Sequence, residues 1–203
     1  MARYKLTYFD FAGGRGEAIR LAFRLGGVAF EDHRVSFAEF GALRDSLRFK
    51  AVPVLEIDGV AVTQSNAICR HVGKLAGLYP QDALQALYCD EALDAVEDIS
   101  QRIDPTIGLK GAALETARRQ LVEGPLSTYL TGMNEMLARG GGSYFADGRL
   151  TIADLKVLAL TRWLTRGVLD HVPKDLVDRL APALVEHQAR ISDDARVVAA
   201  SAR

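Results

Sequence analysis

The chain contains little of what metal and redox sites are usually built from. Its 203 residues include only two cysteines and four histidines. Cys69 and Cys89 have neither CxxC nor metal-ligand spacing, so we interpret both as small apolar residues buried in a protein of a reducing compartment. The histidines are dispersed without ligand spacing, at His33, His71, His171 and His187. The sequence therefore predicts no bound metal and no redox-active cysteine pair.

An excess of charge and a long apolar run are also missing. The 25 Lys and Arg residues nearly balance the 26 Asp and Glu residues, so no bulk field favours nucleic acid or a membrane surface. No apolar run reaches the length of a membrane span, and the N-terminus lacks the apolar core of a signal peptide. We therefore expect a cytoplasmic protein with neither nucleic acid nor membrane as a partner.

The first third of the chain alternates between strand and helix signals. Residues 4–9 alternate and are rich in aromatics, which predicts a strand. Further along we predict a helix at 17–25, a strand at 28–35, a short amphipathic helix at 37–49, a hairpin around Asp58-Gly59 and a helix from Ser65 to about Ala76. The order β-α-β-α-β-β-α indicates a mixed four-stranded sheet covered by helices.

Composition changes after Gly77, and no convincing strand follows. Apolar residues recur at helical spacing, and Thr151 with Asp154 three positions later predicts a capping box. We therefore predict a small α/β domain over residues 1–77, a linker over 78–84 and an all-helical domain over 85–203.

Residues 51–66 are the most informative stretch. Pro53 cannot donate to a sheet, so it stands at a strand start, at an edge or in a cis turn. Asp58-Gly59 suits a type I′ turn between two strands. The backbone at Val52, facing a helix that begins with Ser65 as its N-cap, could hold a small peptide by its main chain and its carboxylate. Simple capping by Ser65 is the alternative.

Two other positions place a side chain that could take part in chemistry at the end of a strand or the start of a helix. Tyr8 ends the first strand, at the edge of an α/β sheet where ligands usually bind, although core packing would also explain it. Arg15 lies at a helix start, the unfavourable end for a cation, so we expect an anionic partner. A surface pair with Glu17 or Asp10 is the simplest choice.

The long helix predicted after the linker carries an acidic stripe. Like charges at helical spacing repel each other, so the stripe must be either solvated or paired with cations. Its members are Asp90, Asp94, Glu97 and Asp98. Trp163, the single tryptophan, is interpreted as a core residue.

Six segments in order resemble the cytosolic glutathione transferases and come closest to their sigma-class pattern. They are Tyr-Lys-Leu-Thr-Tyr-Phe at 4–9, Gly-Arg-x-Glu at 14–17, Glu-Asp-His-Arg at 31–34, Val-Pro-Val-Leu-Glu-Ile-Asp-Gly at 52–59, Gln-Ser-x-Ala-Ile at 64–68 and Leu-Thr-Ile-Ala-Asp at 150–154. The resemblance implies a thioredoxin-like domain without redox cysteines, a helical second domain, a homodimer, and glutathione as co-substrate without a metal.

The resemblance also implies roles for particular residues. The hydroxyl of Tyr8 would hydrogen-bond the glutathione sulfur, with Arg15 near that sulfur. Val52, before a cis Pro53, would pair with the cysteinyl main chain. The γ-glutamyl carboxylate would be held by Gln64 and Ser65.

Three further side chains are implied around the rest of the tripeptide. Phe40 and Arg44 would approach the glycyl end. Asp98 of the partner subunit would meet the γ-glutamyl ammonium. Two departures stand out: the loop between Tyr8 and Arg15 is one residue longer than usual. Ala51 replaces a frequent polar residue, so either Lys50 substitutes for it or one contact with glutathione is missing.

The implied activity is conjugation of the glutathione thiolate to hydrophobic electrophiles. The electrophile would bind between the loop after Tyr8, with Phe9 and Phe11, and the helix around Ile103–Leu109. Isomerisation or peroxide reduction of a hydrophobic substrate is an alternative, as is a non-catalytic ligand-binding protein of the same fold.

Overall fold

A computed structural model describes residues 2–202, and its sheet has the predicted composition. The strands are β1 Tyr4–Phe9, β2 Glu31–Val35, β3 Val54–Ile57 and β4 Val60–Val62. Their order across the sheet is β2-β1-β3-β4. The pair β1–β2 is parallel, and the pairs β1–β3 and β3–β4 are antiparallel. The mixed four-stranded sheet is therefore confirmed.

The helices of the sheet domain are α1 Gly14–Leu25, α2 Phe37–Leu43 and α3 Ser65–Leu75, and a 3-10 turn, Arg44–Ser46, follows α2. Three predicted boundaries were wrong. α1 begins at Gly14 rather than at Glu17. The segment before β2 is not strand, because the amide of Val28 donates to the Phe23 carbonyl at 2.9 Å and extends the end of α1. α2 stops early, where the Ser46 hydroxyl donates to the Leu43 carbonyl at 2.7 Å.

The hairpin between β3 and β4 has the predicted turn. Asp58 and Gly59 both have positive φ, at 49° and 85°, as a type I′ turn requires. The carboxylate of Asp58 also accepts the amide of Arg3 at 2.9 Å. At the other end of β3, the Val52-Pro53 peptide bond is cis, one of the options that the sequence left open.

Within residues 2–202, all regular secondary structure after β4 is helical. The helices are α4 Ala83–Ile103, α5 Gly111–Leu121, α6 Ser127–Arg139, α7 Ile152–Thr165, α8 Leu176–Leu180, α9 Pro182–Asp193 and α10 Ala195–Ser201, with a 3-10 turn, Asp104–Thr106, and a π-helical turn, Val122–Leu126. Gly124 has non-helical φ and ψ of −124° and −108°, and it separates α5 from α6. No described helix is long and apolar enough to cross a bilayer.

One apolar core runs through both halves of the molecule. α1 packs against α3 on the sheet side and against α7 of the helical part. Leu78 and Tyr79 are buried in this core, and the Leu78 carbonyl accepts the amide of Ile152 at 2.8 Å. The division into residues 1–77, 78–84 and 85–203 stays a prediction.

A fully buried carboxylate organises the start of α7. The Oδ2 of Asp154 accepts the amide of Thr151 at 2.7 Å, as the predicted capping box requires, and also accepts the Thr151 hydroxyl at 2.8 Å. Its Oδ1 accepts the amide of Phe145 and lies 3.0 Å from Nε2 of the buried His187. This histidine is therefore a structural partner of α7.

We expect Asp154→Ala to lower the free energy of unfolding by about 3–5 kcal/mol, because it leaves several buried donors without an acceptor. Urea denaturation near neutral pH measures the loss. Asp178→Ala, at an exposed position on α8, is the control and should change stability little. A loss for Asp154→Ala no larger than for the control would contradict this assignment.

Candidate active site

Three of the predicted ligand-binding elements, Tyr8, the Val52-Pro53 bond and the beginning of α3, meet at one edge of the sheet. β1 runs antiparallel to β3 with Thr7 opposite Val54, so the end of β1 at Tyr8 lies beside Pro53. β4 pairs Val62 with Leu55, and the chain then continues along the same edge into α3. The phenol, the cis peptide and the beginning of a helix are therefore neighbours, as the sequence led us to expect.

Tyr8 is buried, but its hydroxyl reaches the cavity between the two domains. The phenolic oxygen accepts the backbone amide of Arg15 at 2.9 Å. Burial raises the pKa of Tyr8, and the Arg15 amide and the positive charge of Arg15 offset this only in part. The phenol therefore stays protonated at neutral pH. Among the described residues no acceptor takes its proton, so the hydroxyl can donate to a ligand.

Two glycines let α1 pass directly over the Tyr8 ring. A Cβ on Gly16 would lie 2.3 Å from Cδ1 of Tyr8, and one on Gly14 would lie 2.5 Å from its hydroxyl oxygen. Gly14 also has a φ of +64°, which side chains rarely tolerate. The glycine-rich loop thus serves close packing on the tyrosine.

Arg15 points away from the partners that the sequence suggested. Its Nε lies 2.7 Å from Oε1 of Glu97, and its Nη2 lies 2.9 Å from Oδ2 of Asp104. Burial alone would lower the pKa of Arg15, but the two carboxylates outweigh it and raise the pKa. The expected anionic partner exists, but the surface pair with Glu17 or Asp10 was wrong.

Glu97 is the centre of an ionic network that joins both domains. Its Oε2 accepts the hydroxyl of Ser65 at 2.8 Å and lies 3.1 Å from Nζ of Lys156. Lys156 is itself buried and donates to the Ser65 oxygen at 3.0 Å. Burial raises the pKa of Glu97, but the charges of Lys156 and Arg15 and the hydrogen bonds from Arg15 and Ser65 lower it to about 2.

Sequence reasoning treated Glu97 only as part of the stripe and missed Lys156. The one available signal was a lysine inside the apolar run of α7, between Leu155 and Val157. A buried cation of this kind needs a carboxylate nearby. Nothing local identified that carboxylate as Glu97, which lies 59 residues earlier in the chain.

Ser65 is not the N-cap that the sequence predicted. Gln64 is the N-cap, with a φ of 73°, and Ser65 is the first residue of α3. Because the Ser65 hydroxyl already bonds Glu97 and Lys156, a ligand carboxylate here would depend mainly on the unpaired backbone N–H groups of the first turn.

The two side chains implied for the glycyl end, and Lys50, which was considered as a substitute at Ala51, lie on α2 or in the segment after it. The Phe40 ring packs against Phe9 with centroids 5.0 Å apart. Arg44 is exposed at the beginning of the 3-10 turn. Lys50 is exposed too, with its Nζ 3.0 Å from Oδ1 of Asp45. No hydrogen bond or ion pair found in residues 2–202 joins these three side chains to the phenol.

The acidic stripe is paired with cations rather than merely solvated. Arg70 contacts Asp90 at 2.7 Å and Asp94 at 3.0 Å, and Glu97 belongs to the network above. Asp98 differs, because it is exposed and accepts the Tyr129 hydroxyl at 2.9 Å. It therefore does not face the Tyr8 hydroxyl of its own chain.

A cavity of about 410 Å³ opens in front of Tyr8. Phe11 and Ile107 line it, as predicted, whereas the predicted Phe9 does not. Much of its wall comes from α7, which the sequence did not indicate. Trp163, interpreted as core, lines this cavity. A larger, shallower cavity of about 600 Å³ lies beside Asp98 and contains none of the groups around Tyr8. We place the candidate active site in the first cavity.

Neither cysteine belongs to this site, and both are buried as predicted. Burial raises the pKa of Cys69, and it raises the pKa of Cys89 to about 12. Both thiols are thus unreactive at neutral pH. No cluster of three or more potential metal ligands occurs among the described residues.

Comparisons with known proteins agree with this geometry. Residues 4–74 match the N-terminal domain of glutathione S-transferases, and residues 97–200 match their C-terminal domain. Glutathione S-transferase 3 of Caenorhabditis elegans is 30% identical over 192 residues, which cover 92% of each chain. Hematopoietic prostaglandin D synthase of Gallus gallus is 38% identical over 98 residues, 48% of this chain and 49% of the relative.

A solved structure of prostaglandin synthase D of Nilaparvata lugens superposes with a TM-score of 0.85 at 28% identity, covering 99% of this chain and 98% of that one. The chain belongs to the glutathione S-transferase family. The predicted fold, with a thioredoxin-like sheet domain and a helical domain, is confirmed.

The network around Glu97 should be visible in the pH dependence of stability. The pKa of Glu97 is about 2 in the folded protein and about 4.3 in an unfolded chain. Its ionised form therefore favours folding above about pH 4, and the contribution is lost as the pH falls toward about 2. Near pH 7 we expect Glu97→Gln to lower the free energy of unfolding by about 2 kcal/mol, allowing for partial exposure.

Urea denaturation of both proteins between about pH 7 and 3 measures this difference, which should shrink below about pH 4. Glu115→Gln, at an exposed position on α5, is the matched control. A difference that stays constant down to pH 3 would remove Glu97 from the network.

Proposed function

We propose that the protein conjugates the thiolate of reduced glutathione to hydrophobic electrophiles. The observation that carries this proposal is the protonated Tyr8 hydroxyl, which has no acceptor among the described residues and opens into a largely apolar cavity. Lys156 lines the same cavity and donates to Ser65, the first residue of α3. A neutral phenol in this position can donate a hydrogen bond to a sulfur anion, which stabilises the charged form.

In this proposal glutathione lies along the sheet edge. The sulfur meets Tyr8, and the cysteinyl main chain pairs with Val52 before the cis bond to Pro53. The γ-glutamyl carboxylate binds the first turn of α3 at Gln64 and Ser65. The glycyl end extends toward α2 and the loop after it, within reach of Phe40, Arg44 and Lys50.

We assign Arg15 to positioning as much as to charge. Its guanidinium is neutralised by Glu97 and Asp104, so its field at the sulfur is weakened. Its backbone amide, in contrast, contacts the Tyr8 oxygen directly. That contact orients the phenol and directs its proton toward the cavity.

Thiolate formation alone cannot supply the rate. A free thiol of pKa about 8.5 is roughly 7% ionised at pH 7.4, and lowering that pKa by about two units raises the thiolate only about 12-fold. The same shift reduces intrinsic nucleophilicity by about 6–10-fold for a Brønsted slope of about 0.4–0.5. Most of the acceleration must therefore come from holding the electrophile against the sulfur.

A second candidate reaction is glutathione-dependent isomerisation of a hydrophobic substrate. The observation that favours it is that relatives of this chain are named prostaglandin D synthase or prostaglandin synthase D. Peroxide reduction by the same thiolate is a third use of the site. A panel of electrophiles, endoperoxides and peroxides, each assayed with glutathione, separates these reactions.

We also propose that the protein works as a homodimer in the cytoplasm. Large apolar side chains are exposed before β3, on the edge strand β4 and at the start of α4: Phe49, Val60, Leu84 and Leu87. Asp98 does not face the Tyr8 hydroxyl of its own chain, which suits a role in the glutathione site of a partner subunit.

We expect Tyr8→Phe to lower kcat on the order of tenfold near neutral pH, since a hydrogen bond to a charged group contributes about 1.5 kcal/mol or more. The loss should grow as the pH falls from about 8.5 to 6.5, because the variant's rate begins to fall at a higher pH than the rate of the parent protein. A chlorodinitrobenzene-type electrophile with glutathione is the assay. Tyr88→Phe, on α4 outside the cavity, is the control.

Glutathione-agarose retention of the parent protein completes this test. Retention without turnover would indicate a non-catalytic glutathione-binding protein. Absence of both would indicate a protein that shares the fold but neither binds nor uses glutathione. An unchanged rate and pH profile for Tyr8→Phe would exclude Tyr8 from catalysis.

The role of Asp98 can be tested by subunit mixing. We expect Asp98→Asn to raise the KM for glutathione on the order of tenfold, because a charge-assisted hydrogen bond is lost. Co-expression with Tyr8→Phe should restore a parental KM, since one site of each mixed dimer then combines an intact Tyr8 with an intact Asp98. If Asp98 acts within its own chain, or the protein is a monomer by sedimentation, no restoration will occur.

A further inference from the structure

The last turn of α7 brings two arginines to the cavity that contains Tyr8. Arg162 and Arg166 lie four positions apart, so they share one face of the helix, and both line the cavity together with Trp163 and Val168. The rest of the wall is mostly apolar, with Phe11 from the loop after β1. Two guanidinium groups therefore border a space that otherwise suits a hydrophobic molecule.

Neither arginine has a carboxylate within ion-pair distance in the described part of the chain. Arg162 is half-buried, and its Nη2 donates only to the neutral hydroxyl of Ser192, at 2.9 Å. Arg166 is exposed, with no side-chain hydrogen bond to the residues described. The other two cations of the cavity differ in this respect, because Arg15 and Lys156 are both paired with Glu97.

The acidic groups around the cavity do not cancel this charge. Asp104 is committed to Arg15. Glu17 lines the cavity and acts on Arg162 from a distance, while its Oε2 accepts the amide of Gly13 at 3.1 Å. If the negative charge of Glu17 offsets the positive charge of Arg162, no carboxylate that lines the cavity is left to offset the charge of Arg166.

We propose that this cavity takes electrophiles whose apolar body ends in an anionic group of the carboxylate class, bound by Arg162 and Arg166. This inference rests on the proposed function and narrows its substrate class. The aromatic and aliphatic wall holds the body of the molecule near the sulfur, and the arginine pair fixes its far end by charge-assisted hydrogen bonds.

A different explanation exists for two basic residues at this place. Cations in the last turn of a helix interact favourably with its dipole. That interaction accounts for the sign of the charge, but it would be satisfied equally by side chains directed to solvent. It predicts no preference for anionic ligands, so experiment separates the two explanations.

Binding can be measured without catalysis, because Trp163 is the only tryptophan and lines the cavity. Decanoate and decanol, titrated at low ionic strength and followed by Trp163 fluorescence, differ only in the end group. We expect the preference for decanoate over decanol to fall about three- to tenfold in Arg166→Gln, and further when Arg162→Gln is added. Added salt should weaken it as well.

Arg179→Gln, on α8 and outside the cavity, is the matched control and should keep the parental preference. Equal binding of the two probes, no binding of decanoate, or a preference that survives the double substitution would each overturn the proposal.

Turnover provides the second measurement. An enone with an aliphatic chain ending in a carboxylate, and its methyl ester, share one reactive centre. We expect the ratio of kcat/KM for acid over ester to exceed unity in the parent and to fall about three- to tenfold in Arg166→Gln. A ratio near unity in both proteins overturns this inference but leaves the proposed function intact. If the parent protein turns over neither of these two compounds and no neutral chlorodinitrobenzene-type electrophile, the result counts against the proposed function instead.

Discussion

The carboxylate of Glu97 is the interaction on which the rest of the site depends. It collects donors from three helices other than its own: Arg15 of α1, Ser65 of α3 and Lys156 of α7. All three side chains are at least half-buried, so the two cations need a nearby negative charge and the hydroxyl needs a hydrogen-bond partner. Glu97 contacts all three. The positions of the phenol, of the first turn of α3 and of the cavity wall are therefore set together.

The fold could be predicted from sequence wherever short-range chemistry decided the outcome. Asp58-Gly59 fixed a turn, and Thr151 with Asp154 fixed a helix start, because each pattern is complete within a few residues. The site could be predicted only in part. Resemblance to a family indicated Tyr8, but Ser65 and Glu97 are 32 residues apart, and no local pattern links them. Their pairing follows from how α3 packs on α4, which the sequence does not display.

Tyr8 illustrates how closely packing and chemistry are coupled here. Gly14 and Gly16 leave no room for a side chain above its ring, and this close approach is what brings the amide of Arg15 to the phenolic oxygen. The longer loop between Tyr8 and Arg15 does not prevent that contact. The same burial that excludes water also keeps the phenol neutral, so one packing arrangement provides both the orientation and the protonation state.

The ionic network has a consequence for the modularity of this architecture. Sheet and helical portions look like separable units, yet the glutamate sits in one and the arginine and serine that need it sit in the other. In isolation, the sheet portion would leave a largely buried guanidinium without either of its carboxylates. The helical portion alone would keep the pair of Glu97 with Lys156 but would lose the arginine and the serine. Neither half is therefore a self-sufficient building block, and transplanting either into another protein requires that its electrostatic counterpart travel with it.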